Sequence, residues 1–113
     1  MRISINGHKF VVKTMITSKD KSNGMMNKTF TSNNQGMLFL MDKDDHYFWM
    51  KNCVIPLDII FIDENTITKI HHNCKPCKGN DCPNYSGYGD MILEINGGVC
   101  KELKIKEGDQ INF

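Results

Sequence analysis

The sequence predicts an all-β domain, a compact antiparallel β-sandwich or barrel of seven or eight short strands with one or two short helices. Three observations carry that expectation. Short runs either alternate apolar with polar residues or stay apolar and β-branched, as half-buried and fully buried strands do. Turn signals separate the runs at close spacing: Asn6-Gly7, Asp63-Glu64-Asn65, Gly97-Gly98 and Gly108-Asp109. The length of 113 residues suits one domain over residues 1–113, with no repeat, low-complexity tract or linker to divide it.

The elements run in this order. Asn6-Gly7 is a strong hairpin signal because both turn residues accept positive φ, so residues 2–5 and 9–16 read as paired strands. Thr17 or Ser18 is an N-cap candidate and Gly24 a stop, which leaves one or two helical turns between them. Residues 27–35 are polar and turn-rich and read as a loop. Residues 36–41 (GMLFLM) read as a buried strand, 42–45 as a charged turn and 47–51 as a further strand. Pro56 belongs at a strand start, where its missing N–H is harmless. Residues 57–62 and 66–72 are then strands around the Asp63-Glu64-Asn65 turn. Residues 73–90, heavy in Cys, Gly and Pro, read as a long irregular connection. A strand at 91–95, a short helix at 99–103 and a last strand at 110–113 complete the chain.

The charge balance limits the partners. Fourteen Lys and Arg face 13 Asp and Glu, a net charge of +1 with His neutral, and Arg2 is the single arginine. Nucleic-acid modules depend on clustered Lys and Arg to neutralise phosphates, and on Arg to read guanine, so no nucleic-acid partner is expected. The N-terminus alternates and lacks the apolar run of a signal peptide. The longest apolar stretch, near residues 57–62, is too short to span a bilayer. The chain as given reads as cytoplasmic, or as an exported or virion-associated protein without its signal. It contains no Ala and many Ile, Asn and Lys, a bias that AT-rich genomes, viral ones included, produce.

Four sets of residues are candidates for chemistry. In Phe48-Trp49-Met50-Lys51-Asn52, period-two alternation puts Trp49 and Lys51 on one face. Trp49 then either packs as core or forms a stacking floor, with Lys51 and Asn52 as polar anchors at its edge. Asp58, within LDIIFID, and Glu94, within ILEI, are carboxylates among apolar neighbours. Buried, each needs a partner, and on neighbouring strands the two could form an acid/base pair. Cys74-x2-Cys77, with Cys82 and His72 or His71, offers a tetrahedral zinc set. A Cys77–Cys82 or Cys74–Cys82 disulfide, or plain reduced thiols, are the competing readings. Eight Met, with Met25, Met26, Met37, Met41 and Met50 among them, either fill an Ala-free core or, with Trp49 and His46, hold Cu(I).

Together these motifs resemble the family known as domain of unknown function 192. The resemblance rests on Gly24-Met25-Met26, Gly36-Met37-Leu38-Phe39, Phe48-Trp49-Met50-Lys51-Asn52, the IPLDIIFID string at 55–63, Cys82 with Tyr85, Leu93-Glu94 with Gly97-Gly98, and Gly108-Asp109. It spans nearly the whole chain. It implies a compact β-sandwich-like fold with few helices, and its members often carry an export signal. Two positions depart from the family pattern: Cys53 stands where Thr is usual, and Cys74 embellishes the simpler theme of Cys77-x4-Cys82-x2-Tyr85. That simpler theme implies a stapled loop rather than a zinc site. The family brings no established activity. The expectation is a non-enzymatic ligand-binding or interaction module with Trp49, Lys51, Asn52, Asp58 and Glu94 at its site. The alternatives are a metal-assisted or acid/base hydrolase-like enzyme and a structural component of a larger, viral assembly.

Overall fold

A computed structural model describes residues 1–113. It contains seven strands, β1 (Arg2–Ile5), β2 (His8–Met15), β3 (Gln35–Trp49), β4 (Leu57–Asp63), β5 (Thr66–Cys74), β6 (Asn84–Asn96) and β7 (Ile111–Asn112). Two short helices, α1 (Ser18–Asn23) and α2 (Val99–Glu102), complete the set, and neither is long and apolar enough to cross a membrane. The strands form one sheet in the order β5-β4-β6-β3-β2-β1-β7. The sheet curls into a half-barrel until its two edges meet at one end. There Ile67 N donates to Asp109 O (2.9 Å), Gly108 N to Ile67 O (2.9 Å) and Ile111 N to Asn65 O (2.8 Å). At that end, bonding the edges to each other pairs N–H and C=O groups that would otherwise leave an open edge prone to association.

The curl divides the apolar residues by face. Period two sends Ile60 and Ile62 of β4 and Leu93 and Ile95 of β6 inward, where they meet Ile3, Ile5, Phe10, Val12 and Leu38, with Val99 and Cys100 of α2 beside them. Leu57, Ile59, Phe61 and Ile92 face the other way and pack with Met15, Met25, Met37, Phe39 and Met50. Both faces of β4 are therefore buried, which is why LDIIFID is a continuous apolar run broken only by its carboxylates. Each fully buried Phe, Leu or Ile here contributes about 1.5–3 kcal/mol of transfer free energy.

Three expectations change. The β2–β3 pair is parallel, not antiparallel, because α1 and the loop after it carry the chain back across the sheet to restart β3 in the same direction. Residues 42–45 are not a turn. They belong to a bulge within one long β3, whose register against β6 shifts between Leu40 and Asp44. Residues 84–90, read as irregular connection, are the first half of β6. Their glycines hid the strand. A Cβ at Gly87 would collide with the Phe61 ring and one at Gly89 with the Ile62 carbonyl, so β6 crosses β4 too closely for any side chain there.

Asp58 is fully buried, and its carboxylate ties three elements together. Oδ1 accepts from Asn73 N (2.7 Å) near the end of β5 and from Gly98 N (3.1 Å). Oδ2 accepts from Cys100 N (2.9 Å) in the first turn of α2. A charge in an apolar core is tolerated when its lone pairs meet fixed donors, and three backbone amides supply them. Asp58→Asn turns one acceptor into an amide N–H2 facing a donor and is expected to cost about 3 kcal/mol of unfolding free energy. Gly89→Ala is expected to cost more than about 2 kcal/mol through overpacking against backbone. Urea denaturation checks both.

Candidate functional site

The second apolar face carries a cavity of about 380 Å³. One wall runs from the end of α1 into the adjoining turn, Lys21 to Met26. The Thr17 side chain accepts from Asp20 N to start this helix, and Gly24, at φ 45°, ends it, its N–H donating to Asp20 O. The opposite wall holds Phe39 and Glu94 from the sheet, with Tyr47, Phe48 and Trp49 from the far end of β3. Lys51, Cys53 and Asn84 complete the lining. Backbone bonds hold these separate segments in place. Asn27 N donates to Asn52 O (2.9 Å), Asn52 N to Cys77 O (2.9 Å) and Cys77 N to Met50 O (3.2 Å). Asn52 takes φ 60°, a left-handed conformation Asn tolerates, and this bends the chain between its two partners.

Glu94 sits at the inner end of the cavity. It lies across from Met37 on β3 and Ile59 on β4, so its side chain shares the face of those apolar residues. It is 4% exposed, and no protein group donates a hydrogen bond to it. Burial alone pushes its carboxyl from an ordinary 4.5 up to about 8. Trp49 stands at the mouth, 42% exposed. The Lys51 ammonium lies 5.1 Å from the centre of its ring and donates to Asn80 Oδ1 at 2.9 Å.

The fold thus brings Trp49, Lys51 and Glu94 to one cavity and leaves Asn52 and Asp58 out of its lining. Asn52 acts through its backbone, and Asp58 belongs to the core. The proposed acid/base pair does not form. Asp58 is opposite Ile95 in the ladder and Glu94 opposite Ile59, so the two carboxylates point to opposite faces of the sheet.

The cysteine loop resolves in favour of the staple. Cys77 and Cys82 form a disulfide with Cα atoms 5.8 Å apart. Sulfurs bonded to each other offer no thiolates to zinc. Cys74, at the end of β5, is buried with its thiol on the His71 carbonyl, while His72 is exposed, so the four residues of the zinc reading do not converge. His71 donates from Nε2 to Ser86 O (2.7 Å) and packs edge-on between Phe61 and Tyr85. Met25, Met37 and Met50 are packing residues of the second cluster, as the simpler reading of the methionines holds. Cys53 and Cys74 are not activated either. Burial, then the nearby carboxylates, push their thiols up to about 11 and about 12, away from the reactive thiolate.

Sequence reasoning singled out Trp49, Lys51 and Glu94 but missed the wall formed by Lys21 to Met26, and also Tyr47. The available signal was Gly24-Met25-Met26, two large apolar residues after a helix stop with no strand to place them.

A family model for DUF192, described as "Uncharacterized ACR", matches residues 1–113. The chain belongs to the DUF192 family. It is similar to a crystal structure of a protein of unknown function from Novosphingobium aromaticivorans, at 34% identity and TM-score 0.89, over 99% of this chain and 84% of that one. It is also similar to a putative transcription regulator from Sinorhizobium meliloti, at 27% identity and TM-score 0.90, over 98% and 91%. No protein of curated function matches it. The DUF192 likeness runs through the whole half-barrel and includes both the walls and the inner end of the cavity.

Glu94 makes stability depend on pH in a stated direction. Below 4.5 the carboxyl is protonated in both the folded and unfolded chains. Between 4.5 and about 8 the unfolded chain gives up the proton and the folded one keeps it, so stability falls as pH rises, by up to about 1.4 kcal/mol per unit. Above 8 this contribution levels off. Glu94→Gln is expected to abolish the fall, as measured by urea midpoints from pH 4 to 9. Reduction of Cys77–Cys82 removes a short loop constraint and is expected to cost about 2 kcal/mol, as measured by the same titration with and without dithiothreitol.

Proposed function

We propose that this domain is a non-enzymatic module that binds a small molecule in the cavity between the Lys21–Met26 wall and the Phe39–Glu94 face of the sheet. The observation behind this reading is Glu94, a carboxyl that is only 4% exposed and has no donor within the protein. Asp58, the other carboxylate of the core, accepts three backbone amides, whereas Glu94 has no protein donor and opens only onto the cavity. Its position at the inner end of an apolar cavity supports a ligand as the missing partner. The volume is at the lower end of the range for small-molecule sites.

Other features agree with this reading. The name of the Sinorhizobium relative invites a nucleic-acid role, but one Arg and a net charge of +1 give this chain little with which to grip phosphates. The hydrolase-like alternative loses its acid/base pair to the two faces of the sheet. The Cys77–Cys82 bond supports work in an oxidising compartment.

Trp49 is the single tryptophan and stands at the cavity mouth, so its fluorescence reports occupancy. A fragment library of neutral, cationic and anionic compounds, read by Trp49 emission, is expected to give saturable hits. Ser22→Trp, at an exposed lining position, is expected to block those hits, read by calorimetry. A library with no saturable hit, or hits that Ser22→Trp leaves unchanged, overturns the proposal.

A further inference from the structure

The chemistry of the lining narrows the ligand. We propose that the cavity takes a small organic amine as its cation, with the ammonium against the Glu94 carboxylate and the carbon body against Met25, Met26, Phe39 and Trp49. This rests on the binding reading above and assigns its ligand class.

Three observations point the same way. Glu94 has four lone-pair positions and no donor from the protein, and an ammonium brings three N–H donors together with the opposite charge. The walls present the aromatic side chains of Phe39, Tyr47, Phe48 and Trp49, whose faces attract cations. The protein already shows this attraction at the mouth, where the Lys51 ammonium lies over the Trp49 ring and is tethered to Asn80. An anionic group at the depth of Glu94 would be desolvated beside a carboxyl and would gain no donor there.

The proton balance is definite. In the empty cavity at neutral pH the carboxyl is held protonated by burial. The amine arrives as R–NH3⁺, the carboxyl releases its proton to solvent, and a carboxylate–ammonium pair remains. Net charge is conserved, since one H⁺ leaves as one cation enters. The other ionisable groups around the cavity are the Cys53 and Cys74 thiols, at about 11 and about 12, with Tyr47, Lys21 and Lys51 in the lining. Binding should therefore release close to one proton per ligand at pH 7, and affinity should rise by up to about tenfold per unit between pH 6 and 8.

The test uses 2-phenylethylamine, its neutral isostere 2-phenylethanol, the anion 3-phenylpropionate and Nα-acetyllysine N-methylamide as a stand-in for a protein lysine. Each is titrated into the intact protein and into Glu94→Gln by Trp49 fluorescence and by calorimetry in buffers of differing ionisation enthalpy. The amine is expected to bind at least about tenfold more tightly than the alcohol, with proton release, and Glu94→Gln is expected to erase both the preference and the release. The proton count is read on the unmodified protein and does not depend on the variant folding. Alcohol or propionate binding as tightly as the amine, or amine binding without proton release, overturns the amine assignment and leaves the binding reading intact. Absence of binding by all four compounds also overturns the amine assignment, while the fragment library decides the binding reading separately. Tighter binding of the acetyllysine amide than of the free amine overturns the small-molecule source in favour of a protein side chain.

Discussion

The Asp58 carboxylate is the constraint on which the rest of the fold depends. It lies on β4, the strand buried on both faces, and accepts amides from Asn73, Gly98 and Cys100. Those amides belong to the end of β5, the turn after β6 and the start of α2. One side chain thus fixes where three pieces of chain leave the sheet. With β5 set against β4, its other end reaches the segment around Asp109 and Ile111, and the half-barrel can close there. A charge–dipole anchor of this kind is directional in a way that apolar packing is not, and it specifies one arrangement of the turns among several of similar burial.

Glu94 is the counterpart that clarifies Asp58. The two carboxylates sit on adjacent strands, one residue out of step, and that single step sends them to opposite faces. On the inner face, Asp58 finds three amides. On the outer face, Glu94 finds Met37, Ile59 and a cavity. Both are buried carboxyls by sequence, yet one holds the structure together and the other weakens it. The carboxyl that lacks a protein donor is the one that lines the cavity, and the proposed binding role rests on that coincidence.

The legible parts of this protein were those where one local rule decides the outcome. Asn6-Gly7, Thr17 with Gly24, and the alternation in 2–5 and 66–72 announced their elements, and the structure places them there within a residue or two. The family string at 55–63 marked the central strand. What could not be read depends on pairs of distant segments. Gly87 and Gly89 look like strand breakers until Phe61 and Ile62 are known to cross over them. The acidic residues after Met41 look like a turn until β6 is seen to continue past the bulge. At the site, Lys51 and Glu94 stood out as charges beside apolar residues, and Trp49 as a large aromatic on the face opposite Phe48 and Met50. The α1 wall did not, because Gly24-Met25-Met26 was its one signal and the wall matters only for what it faces.

Lys51 shows how the site and the stapled loop are coupled. The sequence offers Lys51 and Asp58, charges on either side of Pro56, as candidates to pair. The sheet prevents that pairing, since Asp58 is turned inward and already satisfied. Lys51 instead donates to Asn80, which lies inside the loop closed by Cys77 and Cys82. The backbone of the same loop accepts from Asn52 and donates to Met50, on either side of Lys51. The disulfide therefore does more than stiffen an exposed loop. It fixes the loop that carries Asn80, whose side-chain oxygen accepts from the Lys51 ammonium lying over Trp49 at the cavity mouth.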